Sequence, residues 1–295
     1  MSHPSPSIFS QPTLEGKLFC FGLGYVAQRM APHFAESAGT VRSQDKANML
    51  TQAGIKCFLT HDWPLNLLDT VTHLLISVPP DSAGDPVFRE FGTRIARMTQ
   101  LRWCAYLSST GVYGDHGGAW VDEQSTTNPA SPEGKNRLIA EAQWLRLCEQ
   151  HGIPVHIFRL SGIYGPGRNA LRQMLRGEAY RVVKPGHMMS RIHVADIVRL
   201  LMASAGHPTP GQVFNIADNE PSPSHEVVAY ASKLLNQEAP PEISYTDERV
   251  SVGMRRFYAS NRRISNRKAL STFGATLQYP NYRAGLDALL SEEHP

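Results

Sequence analysis

The sequence predicts an α/β protein with a doubly wound parallel sheet and a small C-terminal lobe. Three observations predict this class. Seven apolar segments have the length of strands, longer periodic segments separate several of them, and the regular alternation of strand and helix candidates breaks near residue 163. Nearly continuous apolar strands that alternate with helices are typical of parallel sheets covered on both faces. The strand candidates are residues 17–22, 39–42, 56–59, 73–78, 103–108, 154–159 and 213–216.

Helix candidates lie between several of these strands and after them. The segments 25–36, 85–100 and 131–150 alternate with strands, whereas 224–235 and 261–273 lie in the C-terminal part. Their apolar residues recur at the spacing of one helix face, as in residues 131–150. Together with the strands, these helices complete the alternating pattern of a doubly wound sheet.

The segments group into three parts along the chain. Residues 1–15 are interpreted as a flexible tail, because residues 1–11 are rich in Ser and Pro. Residues 16–162 form the sheet domain, and residues 163–295 form the lobe, from which residues 187–220 return to the sheet domain. Ligands of such sheets bind at the carboxyl ends of the strands, so we expect the lobe to lie over that edge.

The composition is that of a folded protein with little net charge. Of 295 residues, 41% are hydrophobic and 19% are charged, and 29 basic residues against 26 acidic ones give a formal net charge of +3. This composition argues against a disordered or fibrous chain. A net charge this small creates no electrostatic field that would favour non-specific nucleic-acid binding. No apolar run approaches the roughly 18–20 residues that a membrane span needs.

The N-terminus and the cysteines indicate a cytoplasmic protein. Residues 1–11 have neither the basic start nor the apolar stretch of a signal peptide. The cysteines lie 37, 47 and 44 positions apart and form no CxxC pair; they are Cys20, Cys57, Cys104 and Cys148. We therefore expect free thiols, no metal site and no membrane partner, and both a monomer and a homodimer remain open.

A glycine motif follows the first strand candidate. Residues 22–27 read GLGYVA, which is the pattern GxGxxA between a strand and a helix. The first glycine allows a tight turn, the second lets a pyrophosphate approach the backbone, and the small third residue lets the helix pack closely. The alternative is a glycine-rich turn that binds no ligand. The candidate cofactor residues here are Gly22, Gly24, Tyr25, Val26 and Ala27.

The end of the second strand candidate favours NADP over NAD. An NAD site usually has Asp or Glu here for the ribose 2′-hydroxyl, but this sequence has Arg42 and Ser43, with Lys46 close behind. A guanidinium can hold a 2′-phosphate through charge-assisted hydrogen bonds. We therefore predict an NADP site that includes Arg42 and Ser43, with NAD and an exposed loop arginine as the alternatives.

The fourth strand candidate ends in a rigid turn. Residues 73–78 are followed by Pro79 and Pro80, and the end of this strand is expected to face the cofactor. Val78 and Pro79 are therefore candidate cofactor contacts. A simple strand stop is compatible with the same residues.

Five later segments carry a family resemblance. They read LSSTGVYG at 107–114, SPEGKNR at 131–137, RLSGIYGPG at 159–167, RIHVAD at 191–196 and FNIAD at 214–218. With the glycine motif and in this order, they resemble the short-chain dehydrogenase/reductase superfamily in its extended, epimerase/dehydratase-like branch. The resemblance covers the chain after Gly16 and implies an NAD(P)-binding Rossmann domain with a C-terminal substrate lobe.

The resemblance also implies catalytic positions, and two of them carry unusual residues. A family serine that hydrogen-bonds the substrate oxygen corresponds to Ser109. The family's Tyr-x-x-x-Lys pair falls on Glu133 and Arg137, so both catalytic residue types are missing. An unperturbed glutamate is an anion and a poor acid at neutral pH, and an arginine does not titrate. The chain is therefore expected to be an atypical member.

Glu133 and Arg137 also have a structural interpretation, which we weigh above catalysis. Ser131 is a good helix N-cap, Pro132 fits the first helical position, and Glu133 would lie in the first turn, where the helix dipole favours an anion. Glu133 and Arg137 are spaced i, i+4, as in surface ion pairs.

Other polar residues are weaker candidates. Tyr113 is our first choice for a substitute proton donor, and His116 lies in a nearby glycine-rich loop. His193 is interpreted as structural. Epimerases of this family that bind a nucleotide diphosphate often carry an arginine four residues before that histidine. Met189 occupies this position here. The basic residues of 255–268 could meet a phosphorylated substrate, but a solvated surface is the preferred interpretation.

Two functions from different classes follow. The leading hypothesis is an NADP-dependent oxidoreductase or epimerase-like enzyme that acts on a small polar substrate, with a sugar derivative as one option. The second is an NADPH-binding redox sensor or regulatory protein without turnover. Glu133 and Arg137 divide the two hypotheses, because an enzyme needs a usable acid near Ser109.

Overall fold

The structure is a computed structural model that describes residues 14–293, and its centre is a parallel sheet of seven strands. The order across the sheet is β3-β2-β1-β4-β5-β7-β11. These strands are β1 (Leu14–Phe21), β2 (Phe34–Val41), β3 (Lys56–Leu59), β4 (His73–Ile76), β5 (Trp103–Ser109), β7 (Val155–Leu160) and β11 (Gln212–Ile216). Each overlaps one predicted strand candidate, so the predicted fold class is confirmed.

Three short parallel pairs lie outside this sheet. They are β6 (Trp120–Val121) with β13 (Arg263–Ile264), β8 (Gly162–Tyr164) with β10 (Arg191–His193), and β9 (Arg181–Val183) with β12 (Glu242–Ser244). The first pair joins the loop after β5 to the C-terminal part of the chain. Chain segments far apart in sequence are thereby held above the sheet.

Ten α-helices and three 3₁₀ turns connect the strands in the described part of the chain. The helices are α1 (Ala27–Met30), α2 (Gln44–Gln52), α3 (Pro86–Ile95), α4 (Pro132–His151), α5 (Ala170–Leu175), α6 (Val194–Gly206), α7 (Ser224–Leu234), α8 (Val252–Tyr258), α9 (Arg267–Phe273) and α10 (Tyr282–Glu293). The 3₁₀ turns are Ala31–His33, Leu65–Thr70 and Thr110–Tyr113. None of the helices within residues 14–293 is long and apolar enough to cross a membrane.

Alternate residues of the sheet strands build two apolar cores. Leu18 and Cys20 of β1 point into one core, which α2 and α6 cover, whereas Phe19 and Phe21 point into the other, which α3 and α4 cover. This period of two is the geometry of an extended strand. Because both faces are covered, nearly every residue of a central strand is apolar, which is the pattern that the sequence shows.

Capping residues fix where α4 begins and ends. The Ser131 Oγ accepts a hydrogen bond of 3.1 Å from the Gly134 amide, and Pro132 occupies the first helical position. Gly152 closes the helix in a left-handed conformation at φ 68°, which glycine adopts without a steric penalty. The predicted N-cap at Ser131 is therefore present in the structure.

The predicted helix 25–36 is wrong in its extent. Only Ala27–Met30 is α-helical, a 3₁₀ turn follows, and β2 already begins at Phe34. Pro32 has no amide hydrogen, so it cannot continue the helical hydrogen bonds at its position. The connection between β1 and β2 is consequently short.

The predicted helix 261–273 is also too long. Arg263 and Ile264 form β13, and the helix begins only at Arg267. Ile264 is buried with Val121 and Tyr113, so pairing with β6 overrides the local helical pattern. Of the predicted tail 1–15, Leu14 and Glu15 lie in β1, and the remainder lies outside the described residues.

The C-terminal half contributes to both parts of the molecule. The helices α5, α7 and α10 share one apolar cluster, and β9, β12 and α8 share another. In contrast, α6 packs in the sheet core and β11 is the edge strand of the sheet. The α9 residue Ala269 also lies in the sheet core, so the two clusters of the C-terminal half are built from several separate stretches of chain.

Candidate functional site

The strand order reverses at β1, which places a crevice at the carboxyl ends of β1 and β4. In β1, Leu18 pairs with Ser37 of β2 on one side and with His73 of β4 on the other. Such a switch point is where doubly wound sheets bind ligands. The residues of the glycine motif and of the Ser77–Pro80 turn meet there.

Gly22 occupies a position that only glycine fits well. Its φ is +90°, and a Cβ there would lie 3.0 Å from the Ser77 Oγ. The Ser77 hydroxyl donates to the Gly22 carbonyl at 2.6 Å, and the Gly22 amide donates to the Thr40 Oγ1 at 3.0 Å. These bonds tie the ends of β1, β2 and β4 into one rigid turn.

The next residues leave backbone donors and space open. A Cβ on Gly24 would meet nothing closer than the Ser77 Oγ at 3.8 Å, so this face of the turn is free. Within residues 14–293, no protein acceptor takes the backbone amides of Tyr25 and Val26. Ala27 is fully buried at the start of α1, where a larger side chain would displace the core. Free amides beside an open glycine are what a phosphate needs.

Tyr25 joins this turn to the lobe. Its hydroxyl donates to the Pro166 carbonyl at 3.0 Å, and the Arg29 guanidinium lies 3.8 Å from its ring centroid on one side. Arg168 lies 5.8 Å from the same centroid. The tyrosine therefore contributes its backbone to the turn and its ring to the contact with the lobe.

Arg42 and Ser43 follow β2 directly, beside the glycine turn. The Leu23 amide donates to the Thr40 carbonyl at 2.8 Å, so the end of β2 runs beside the glycine turn. Arg42 and Ser43 follow directly and are exposed. Within the described residues, no ion pair engages Arg42, so its guanidinium is available to an anion.

Val78 borders the glycine turn on the side of β4. A Cβ on Gly22 would lie 3.4 Å from the Val78 Cγ2, and the side chain of Val78 is half-buried, whereas Pro79 is exposed. Val78 therefore lies against the crevice, and Pro79 follows it along the same edge of the sheet.

Ser109 ends β5 at the same edge of the sheet. Its Oγ accepts a hydrogen bond of 3.1 Å from the Gly111 amide, and the side chain is half-buried. The first turn of α4 packs against this loop, because a Cβ on Gly134 would lie 3.0 Å from the Gly111 carbonyl oxygen. The hydroxyl hydrogen of Ser109 is not used by this bond and can be donated to a ligand.

Glu133 and Arg137 do not pair with each other. The Glu133 carboxylate forms an exposed ion pair of 2.9 Å with Arg256 of α8. The Arg137 Nη1 instead donates to the Leu107 carbonyl in β5 at 2.8 Å. The predicted i, i+4 pair is therefore wrong, because each side chain finds a partner on another element. Arg137 reaches toward the end of β5, whereas Glu133 faces solvent.

Tyr113 is the clearest correction to the predicted site. Its side chain is fully buried, and its hydroxyl donates to the Asn215 Oδ1 at 2.8 Å and accepts from the Arg159 Nη1 at 3.0 Å. Burial raises the pKa of this phenol. A hydroxyl with both partners inside the protein has no free position for a substrate, so Tyr113 is a structural residue.

Tyr113 belongs to a buried polar network that sequence reasoning missed. Glu141 accepts from the Ser108 Oγ at 2.5 Å and from the Arg159 Nη2 at 2.7 Å, and both charged side chains are more than nine-tenths buried. The backbone amide of Asn215 in turn donates to the Glu123 Oε1 at 2.7 Å. The network joins α4, β5, β7 and β11 directly behind Ser109. In the sequence, the one sign of this network is that Glu141 interrupts the apolar face of α4.

The remaining candidates have structural partners. The His193 Nδ1 accepts from the Ala195 amide at 3.2 Å, which caps α6. The His116 Nε2 lies 3.1 Å from the carbonyls of Tyr113 and Thr126. The basic residues of 255–268 spread over several elements: Arg262, for example, donates to the Gly114 carbonyl at 2.7 Å.

Comparisons with known proteins agree with this geometry. The model of the NAD dependent epimerase/dehydratase family matches residues 93–217. A functionally unknown conserved protein from Silicibacter pomeroyi DSS is 43% identical over 94% of this chain and 99% of its own, with a TM-score of 0.88. Protein YeeZ of Escherichia coli (strain K12) is 26% identical over 250 residues, which cover 76% of this chain and 85% of YeeZ.

A more distant structure shows the same fold. UDP-glucuronic acid 4-epimerase from Bacillus cereus, solved in complex with NAD, is 17% identical over 94% of this chain and 98% of its own, with a TM-score of 0.71. The glycine turn at the switch point, the serine at the end of β5 and these similarities lead to one assignment. The chain belongs to the NAD-dependent epimerase/dehydratase family, in the extended branch of the short-chain dehydrogenase/reductase superfamily.

Proposed function

We propose that this chain binds NADP(H) at the carboxyl ends of β1 and β4 and acts as an oxidoreductase or epimerase-like enzyme on a small polar, sugar-derived substrate. The glycine turn carries this proposal: Gly24 has an open face, and the amides of Tyr25 and Val26 lack protein acceptors. The Bacillus cereus epimerase of similar fold was solved with NAD bound, and its name gives UDP-glucuronic acid as the compound on which it acts. Both facts support a dinucleotide and a sugar-derived substrate here.

Each part of the turn would have its own task toward the dinucleotide. Gly22 and Gly24 permit close approach of the phosphates, and the free amides of Tyr25 and Val26 would donate to them. Val78 and Pro79 would border the cofactor at the end of β4. Arg42 and Ser43 would hold the 2′-phosphate of NADP. When bound, a nicotinamide cofactor supplies hydride transfer.

The chain's own contribution to chemistry centres on Ser109. Its free hydroxyl hydrogen would be donated to a substrate oxygen, and Arg137 would help to hold negative charge near the end of β5. Glu133 is exposed, and its carboxylate is engaged in an ion pair with Arg256, so it is not placed as a proton donor beside Ser109. Proton transfer would therefore depend on solvent or on the substrate, which predicts slow turnover.

The sensor remains the second candidate, and a specific observation favours it. Neither Tyr113, with its engaged and buried hydroxyl, nor Glu133, with its exposed ion pair, supplies a proton donor beside Ser109. An NADPH-binding regulatory protein needs the glycine turn but does not need such a donor.

Replacing Arg42 with alanine is expected to weaken NADP binding and to leave NAD binding nearly unchanged. A charge-assisted contact contributes about 1.5–3 kcal/mol, which is roughly a tenfold to hundredfold change in affinity. Titration calorimetry with NADP⁺ and NAD⁺ measures both affinities. Arg146→Ala, a matched change on the exposed face of α4, should alter neither. Equal affinities of the unchanged protein for the two dinucleotides would overturn the proposed preference.

Replacing Ser109 with alanine is expected to lower kcat/KM for any carbonyl substrate found with NADPH by a factor of about 10²–10³, the usual loss for one donor to a reacting oxygen. Ser109→Thr retains the hydroxyl and should keep part of the activity. NADPH affinity and the melting temperature serve as controls, because the alanine also loses the cap to Gly111.

A double variant distinguishes the enzyme hypothesis from the sensor hypothesis. Glu133→Tyr with Arg137→Lys would supply the residue types that the family uses, and the cost of the lost Glu133–Arg256 pair is small because both side chains are exposed. We expect this double change to raise turnover. If neither protein reduces any tested carbonyl while both bind NADPH, the enzyme is excluded and the sensor is preferred.

A further inference from the structure

A pocket in the lobe contains no residue of the proposed cofactor site. It encloses about 350 Å³ between α5, α7 and α10, and its inner wall is formed by Tyr164, Val227, Tyr282 and Leu286. This volume is at the small end of the range for ligand pockets. Neither the glycine turn nor Ser109 lines it, so it is separate from the crevice described above.

The lining of this pocket concentrates positive charge. Four arginines line the pocket, whereas Glu178 is the one acidic residue among its lining residues in the described chain; the arginines are Arg168, Arg172, Arg176 and Arg191. Arg168 and Arg176 form no ion pair with any residue in 14–293. Cations gathered around a concave surface repel one another unless an anion lies between them.

A buried carboxylate holds one side of the rim in place. The Glu293 Oε1 accepts from the Gly167 amide at 2.5 Å and from the Asn169 Nδ2 at 2.9 Å, and its Oε2 lies 3.6 Å from the Arg172 Nη1. The last contact is long, so Arg172 keeps donors for another acceptor. These bonds fix the turn before α5 and, among the arginines of the pocket, engage Arg172 alone.

Arg191 supplies a cation at the inner end of the pocket. Its Nη1 donates to the carbonyls of Met189 and Ser222 at 3.0 and 2.9 Å, which fixes the guanidinium. Within residues 14–293, the one further hydrogen bond of this guanidinium is the weak contact of 3.9 Å from Nη2 to the Met189 Sδ. The nearby Asp218 is buried, and burial raises the pKa of its carboxyl to about 8. Burial therefore weakens Asp218 as a counter-charge for Arg191.

From this arrangement we propose that the pocket is a second ligand site, which binds a small organic phosphate. The guanidinium groups at the rim and at the inner end would share the phosphate oxygens, because arginine donates in the paired geometry that phosphate accepts. The apolar and aromatic wall would contact the organic part. Two sources have this chemistry: the phosphate end of the substrate and a separate phosphorylated effector.

The test uses the full chain saturated with NADP⁺, so that the glycine turn is already occupied. Inorganic pyrophosphate is then titrated by calorimetry at constant ionic strength. We expect saturable binding with a Kd of about 1 mM or tighter. Arg172→Gln with Arg176→Gln should weaken it about tenfold or more, since two charge-assisted contacts are removed. Arg176→Gln alone, which breaks no ion pair, should weaken it by a smaller factor.

The controls separate a specific site from general charge. Arg146→Gln removes an exposed arginine from α4 and should bind pyrophosphate as the unchanged protein does. NADP⁺ affinity should be the same in all variants. Absence of saturable binding to the NADP⁺-loaded protein, or equal weakening by Arg146→Gln, would overturn the proposal.

A competition arm identifies the source of the phosphate. UDP-glucose is added to the complex with NADP⁺ and pyrophosphate. Displacement of pyrophosphate would show that the pocket takes the diphosphate of a substrate. Simultaneous binding would show that it takes a separate small phosphate. Both results support the site, and loss of NADP⁺ binding would count only against the proposed cofactor site.

Discussion

Glu141→Ala is expected to lower the free energy of unfolding by about 3–5 kcal/mol, because it leaves the guanidinium of Arg159 buried without a counter-charge. Arg159 and Glu141 have 8% and 4% of their side chains exposed, and three hydrogen bonds join them. The Ser108 hydroxyl loses its acceptor as well. Urea denaturation at pH 7 measures this loss.

Two further variants test whether the loss of stability in Glu141→Ala comes from the unpaired charge of Arg159. Glu149→Ala lies on the exposed side of the same helix and should change stability by less than about 0.5 kcal/mol. Glu141→Met with Arg159→Met removes both charges and should destabilise less than Glu141→Ala, because no unpaired ion remains. A loss below about 1 kcal/mol for Glu141→Ala would contradict the role of this pair.

The seven strands were predictable because both faces of the sheet are covered. In β5, for example, Trp103 and Ala105 face one core and Cys104 and Tyr106 face the other, so the strand is a continuous apolar run that stands out in the sequence. The glycine turn was predictable because its requirement is local: Gly22 needs a positive φ. Ser131 and Gly152 mark the ends of α4 for the same local reason.

The parts that sequence reasoning missed depend on distant partners. Tyr113 looked available because it follows Ser109 closely, but its hydroxyl partner Asn215 lies 102 residues away. Glu133 finds Arg256, 123 residues later, rather than the adjacent Arg137. Residues 263 and 264 carry a helical pattern, yet pairing with Trp120 and Val121 makes them a strand. Local spacing cannot encode these contacts, since each depends on how the lobe packs on the sheet.

Acidification is expected to destabilise the fold through buried histidines. Burial lowers the pKa of His73, His156 and His193 to about 4, and each is at least 96% buried. In the unfolded chain these rings titrate near 6.5. Between pH 6.5 and 4 the unfolded chain therefore binds protons that the folded chain does not, so stability falls as the pH falls. Each ring contributes a loss of about 2 kcal/mol at pH 5 by this linkage.

His156 offers the cleanest test of this effect. Its Nε2 accepts from the Thr209 amide at 3.1 Å, and its Nδ1 lies 2.7 Å from the Ser204 Oγ. A proton on Nε2 would remove the acceptor for Thr209 and place an uncompensated cation among aromatic rings. Buried carboxyls with raised pKa values, such as Asp196 and Asp218, act in the opposite direction. The slope of the unchanged protein alone is therefore not diagnostic.

The difference between variants isolates the histidine. His156→Gln keeps an amide that can donate and accept but cannot gain a proton in this range. Between pH 7.5 and 5 the unchanged protein should lose about 2 kcal/mol more unfolding free energy than this variant. His61→Gln, at an exposed ring, should follow the unchanged protein. Urea denaturation at both pH values measures the three slopes, and parallel slopes for His156→Gln and the unchanged protein would show that this ring is not held neutral by the fold.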